Sequence, residues 1–81
     1  MKITLLIRYP LQGDWYETEV RMSNISRANR GMLYGSGCSL DTGERDVEFL
    51  FPSRTLAEKA RVEMIEKLPL HGMQTELRKE G

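Results

Sequence analysis

Cysteine is almost missing from this chain of 81 residues, which holds only Cys38. A lone cysteine cannot close a disulfide within the chain, so the small secreted scaffold stapled by several bridges is excluded, and the composition points to a reducing cytoplasm. Histidine is as scarce: His71 stands alone, far from Cys38 in sequence. Zinc and redox centres gather several Cys, His or carboxylate ligands at fixed spacing, and no such spacing occurs, so neither a metal nor a cofactor is expected. Charge of one sign is lacking too, because 12 Lys and Arg residues face 12 Asp and Glu residues. No overall field draws the molecule toward nucleic acid or an anionic membrane. The split between residues 1–37, at +2, and the remainder, at −2, is too small to make a tail of either sign.

Long hydrophobic runs are absent as well. The apolar stretch near the N-terminus stops at Arg8, short of the roughly 7–15 residues of a signal-peptide core, and nothing approaches the ~18 residues of a membrane span. Nor are the usual catalytic strings present. Gly35-Ser36-Gly37 lacks the Lys-Ser/Thr of a phosphate-binding loop, and Asp41-Thr42-Gly43-Glu44 lacks the spacing of a calcium loop and is better suited to a hairpin turn. Glu44, Asp46 and Glu48 alternate along one polar strand face, with nothing nearby to raise a carboxyl pKa. Cys38 is read as a small packing residue and His71 as a solvated loop residue, so no nucleophile and base can be paired and an enzyme is not expected.

What is present is periodicity. Ile3, Leu5, Ile7 and Tyr9 alternate with Lys2, Thr4, Leu6 and Arg8, which predicts a central strand ended by Pro10 and a turn at Gln12-Gly13. Residues 14–30 admit two readings. Asp14 as N-cap, Glu17 three residues on, Arg27 and Arg30 at the far end and Gly31 as a left-handed cap predict a helix. Tyr16, Thr18, Val20 and Met22, alternating with charged residues, fit a strand instead. The end signals favour the helix. Residues 32–40 and 46–51 form a hairpin, with Val47, Phe49 and Phe51 on one face and Asp46, Glu48 and Leu50 on the other. Residues 54–68 make a second helix, capped by Ser53 or Thr55, with Leu56, Ala60, Met64 and Leu68 in a stripe. Pro69 and Gly72 end it, and Met73, Thr75 and Leu77 begin a short last strand before a frayed Lys79-Glu80-Gly81.

The order β-α-β-β-α-β is that of the ferredoxin-like α+β fold: one domain with a four-stranded antiparallel sheet and two helices on one face. Gly35 and Gly37 would then face a helix and let it pack close. The string Gly35-Ser36-Gly37 through Thr42-Gly43-Glu44-Arg45-Asp46, with the apolar strand and Ala-containing helix that follow, resembles small uncharacterised ferredoxin-like proteins of bacteria. That resemblance covers the second half of the chain and implies the fold without a function.

Two surfaces could bind. On the strand order 4-1-3-2, the uncovered sheet face would show Thr4, Leu6 and Arg8 beside Glu48 and Leu50, with Gln74, Glu76 and Arg78 on one flank and Tyr34, Ser36 and Cys38 on the other. Sheet-surface RNA readers place aromatic rings on the central strands, and none stands there. Leu6, Arg8, Tyr34, Glu48 and Leu50 instead suit an unidentified protein partner or a homodimer. The second surface is the row Arg21, Asn24, Arg27 and Arg30 along the first helix, which could hold phosphates or RNA. The expectation is therefore a non-catalytic protein-interaction module that acts through the open sheet or a sheet edge and self-associates, with an RNA- or phosphate-binding accessory domain as the alternative.

Overall fold

The computed structural model describes residues 2–11, 13–68 and 71–80. Six elements follow one another: β1 (Lys2–Pro10), α1 (Trp15–Ala28), β2 (Met32–Ser39), β3 (Glu44–Phe51), α2 (Arg54–Lys67) and β4 (Gln74–Glu80). They form one antiparallel sheet in the order β2-β3-β1-β4, with both helices on one face, which is the ferredoxin-like arrangement. Gln12 and Pro69, expected as a turn residue and a helix terminator, lie outside the described residues. Among those described, no helix is long and apolar enough to cross a membrane.

Period-two alternation on the central strands decides where the core lies. Ile3, Leu5, Ile7 and Tyr9 of β1 and Val47, Phe49 and Phe51 of β3 turn toward the helices, where Met22 of α1 and Ala57, Ala60 and Met64 of α2 cover them. All are essentially inaccessible to solvent, each contributing roughly 1.5–3 kcal/mol where the side chain is large. Small residues at 57 and 60 let α2 lie close to the sheet, and Ser53 caps it by accepting a hydrogen bond from the Leu56 amide at 3.3 Å.

Residues 15–28 are helical, which settles the ambiguous segment. Thr18, Met22 and Ser26, four apart, are its buried line, while Tyr16 and Val20 lie off that line at 69% and 43% exposure. The alternation that mimicked a strand is thus a helix with two apolar residues outside its buried stripe. Asp14 occupies the N-cap position without a side-chain hydrogen bond.

Helix α1 does not end as expected. The left-handed residue is Arg30, with φ 65°, and not Gly31. Arg30 N–H donates to the Arg27 carbonyl at 3.1 Å and Gly31 N–H to the Ser26 carbonyl at 2.7 Å, which satisfies two of the carbonyls in the last turn of the helix. Gly31 is needed for another reason: a Cβ there would stand 2.7 Å from Cζ and 2.9 Å from Cδ2 of the buried Phe51 ring.

Strand β2 also departs from expectation. Leu33 pairs with Phe49, yet Gly35 pairs with Glu48, so Tyr34 is an extra residue in a β-bulge. One extra residue inverts the alternation beyond it. Ser36 and Cys38, opposite Val47 and Arg45, therefore lie on the helix face, while Gly35 and Gly37, opposite Glu48 and Asp46, lie on the open face. The two glycines do not accommodate a helix: a Cβ at Gly37 would meet nothing within 4 Å, and one at Gly35 only a glutamate oxygen at 3.8 Å. Cys38 is exposed rather than packed. The tail is ordered further than expected, with Lys79 and Glu80 in β4, while Gly81 lies outside the described residues.

Candidate functional site

The open sheet face holds most of the residues expected there, but in a different state. Leu6 stands between Glu48 and Glu76 in register and is only 5% exposed, and Thr4, between Leu50 and Arg78, is 2% exposed. Long charged side chains can lay their apolar stems over short neighbours and keep their ends in water. Those ends are paired: Arg8 Nε lies 2.8 Å from Asp46 Oδ1, and Arg78 Nε lies 2.6 Å from Glu76 Oε2. The hydrogen bond to Asp46 raises the Arg8 pKa, and the one from Arg78 lowers that of Glu76. Leu6 is thus covered instead of offered, and of the expected apolar contacts Leu50 is half-buried and Tyr34 alone is largely exposed.

The expected arginine row is not assembled. A spacing of three drifts around a helix of 3.6 residues per turn, so side chains at 21, 24 and 27 spread over about a third of its circumference. Arg21 reaches the α2 end, donating from Nη2 to the Lys67 carbonyl at 3.0 Å, whereas Asn24 and Arg27 line a groove on the β2 side. Arg30 lies past the helix in its left-handed cap.

That groove, of about 450 Å³, runs between α1 and β2. Trp15, Tyr16 and Val20 of α1 and Leu33 and Val47 of the sheet make it apolar, and Ser23, Asn24, Arg27 and Ser36 supply polar groups. At its floor Arg45 grips Glu19 with Nε to Oε2 at 2.6 Å and Nη2 to Oε1 at 2.9 Å, a two-pronged pair whose side chains are about 15% exposed. The same guanidinium lies 4.3 Å from the centre of the Trp15 ring, and the Tyr9 hydroxyl donates to Glu19. Burial first, and then the bond to Glu19, hold the Tyr9 pKa well above its ordinary value, while the bond to Glu19 raises that of Arg45. Sequence reasoning missed Trp15, Glu19 and Arg45. The available signal was the spacing of Trp15 and Glu19, four apart on one helix face.

The two sheet edges are chemically opposite. Strand β4 carries Glu76, Arg78, Lys79 and Glu80. Strand β2, Met-Leu-Tyr-Gly-Ser-Gly-Cys-Ser, has no charged residue and no proline, and Met32, Leu33 and Tyr34 are 61%, 54% and 57% exposed. Edge strands are ordinarily guarded by charge, proline or a bulge against pairing with another chain, and of these β2 has only the bulge at Tyr34. Among the described residues no strand lies on the outer side of β2.

No protein-family model matches the chain, and no curated protein matches it. Solved structures do. The chain is similar to Rv0793 from Mycobacterium tuberculosis, with a TM-score of 0.70 at 15% identity, covering 100% of this chain and 96% of that one. A NIPSNAP family protein from Agrobacterium tumefaciens, Atu5224, gives 0.65 at 14%, covering 100% and 94%. Formyltetrahydrofolate deformylase from Burkholderia mallei gives 0.69 at 11%, but the chain covers only 28% of that protein while 98% of itself is matched. Likenesses at this identity concern the fold alone, and they agree with the resemblance to small ferredoxin-like bacterial proteins drawn from the sequence.

Proposed function

We propose that this protein is an interaction module without catalytic chemistry of its own, which associates through strand β2 and takes the β2 of a second copy as its partner. The observation that supports this is the eight-residue edge strand with no charge on it, beside Met32, Leu33 and Tyr34 left in water. An uncharged edge meets its own copy without like-charge repulsion, and antiparallel pairing about a two-fold axis presents the same patch from both sides. Backbone hydrogen bonds would extend two four-stranded sheets into one of eight strands, with the exposed apolar side chains adding contact area. Strand β4, with its mixed charges, has no comparable fit to itself.

Sedimentation equilibrium of the parent chain and of Leu33→Lys, Tyr34→Lys and Leu50→Lys tests this. The parent should run as two chains, the two β2 variants as one chain with unchanged far-ultraviolet circular dichroism, and Leu50→Lys as two. A parent that stays monomeric at high concentration, or β2 variants that stay paired, overturns the reading. If Leu50→Lys alone separates the copies, the open sheet face is the interface and the edge is not.

A further inference from the structure

We infer that the groove between α1 and β2 is a binding site for a small organic anion with a flat apolar body, its charged group held by Arg27. The inference does not depend on pairing at β2. The volume, about 450 Å³, falls inside the range of small-molecule sites, roughly 300–1,000 Å³, and the composition is of the matching kind, apolar walls with a few polar groups. The Trp15 and Tyr16 rings stand edge to face at 5.9 Å on the helix side, and Leu33 and Val47 close the sheet side, so a flat body finds aromatic and aliphatic surface on both walls.

Charge decides the sign of the ligand. Arg45 and Glu19 both line the groove, but they neutralise one another through two hydrogen bonds, and the Arg45 guanidinium is also stacked on Trp15. Glu19 accepts from Tyr9 as well, so its oxygens are committed. The remaining ionised lining group is Arg27, which is exposed and makes no ion pair or hydrogen bond through its side chain to any described residue. The groove thus offers one uncommitted positive charge at its rim, with the Ser23 and Ser36 hydroxyls and the Asn24 amide nearby. A carboxylate or sulfonate can be bound there with its hydrocarbon part laid inward. A cation meets no free carboxylate.

The chain contains a single tryptophan, and it lines this groove, so the site carries its own reporter. Titrating the full chain with anilinonaphthalene sulfonate should quench Trp15 fluorescence saturably at one molecule per chain. N-phenylnaphthylamine, with the same rings and no sulfonate, should bind about fivefold more weakly or worse. Arg27→Ala should cost the sulfonate a similar factor and leave the uncharged amine unaffected, Arg27→Lys should restore part of it, and Arg21→Ala, on the α2 side, should change nothing. Ser36→Phe, which fills the groove without touching a charge, should abolish binding of both. The Tyr34→Lys variant should bind as the parent does, which separates this site from association at β2. Absence of saturable quenching, equal binding of the two probes, or equal loss in Arg27→Ala and Arg21→Ala overturns the inference.

Discussion

Positions 30 and 31 meet two different demands on the backbone at the end of α1. Arginine in the left-handed region pays about 1 kcal/mol relative to glycine, because its Cβ crowds the neighbouring carbonyl. Arg30→Gly should therefore stabilise the protein by about 0.5–1 kcal/mol in urea unfolding. Gly31→Ala should destabilise it by about 1–3 kcal/mol, since the new methyl must displace the Phe51 ring from a filled core. Were Gly31 the left-handed cap that its place after the helix suggests, Arg30→Gly would bring no gain. The sequence shows that the helix stops near residue 30. It does not show that Gly31 answers to close packing and not to a left-handed backbone, because the aromatic ring that requires it lies 20 positions away.

At the scale of elements, α1 is tied to the sheet at one end by the Tyr9, Glu19 and Arg45 cluster and to α2 at the other by Asn29, whose Nδ2 donates to the Ile25 carbonyl at 2.9 Å and to Glu63 at 3.3 Å. The first tie has a pH signature. Folding raises the Tyr9 pKa, so above about pH 10 the unfolded chain releases this proton while the folded one keeps it, and stability falls as pH climbs. Below that range the group contributes no pH dependence. Urea midpoints measured from about pH 8 to 11 should decline for the parent, and decline less for Tyr9→Phe, which starts lower for want of the hydrogen bond. Parallel curves would show that Tyr9 is not the titrating group. Most elements were legible from alternation and capping residues, and the strand order followed from the fold they imply. The bulge was not, even though a glycine inside a strand is its usual mark, because Gly35 also suited close helix packing. The groove stayed hidden for a related reason: Glu19 and Arg45 lie 26 residues apart, and only the folded sheet brings them together.

For the molecule as a whole, zero net charge and a pI near 6.6 leave little electrostatic repulsion between copies at neutral pH. Association through an uncharged strand should also be insensitive to screening. The dimer dissociation constant should change by less than about twofold between roughly 50 mM and 500 mM salt. A steep salt dependence in sedimentation would point to the ion pairs of the open sheet face, Arg8 with Asp46 and Arg78 with Glu76, as the interface. The fold was legible at this scale and the accessibility of single side chains was not, since periodicity assigns a side chain to a face but says nothing of how its neighbours shade it, as Leu6 illustrates.

The extra residue at position 34 acts as a shim in strand β2. Deleting Tyr34 with the hairpin turn held in place would leave Leu33 opposite Phe49 and Gly35 opposite Glu48, so the strand would run on as an ordinary ladder with every remaining side chain on its present face. Losing one residue at this place is therefore a route by which related chains could straighten the outer edge while keeping the groove wall and every residue that contributes to the core.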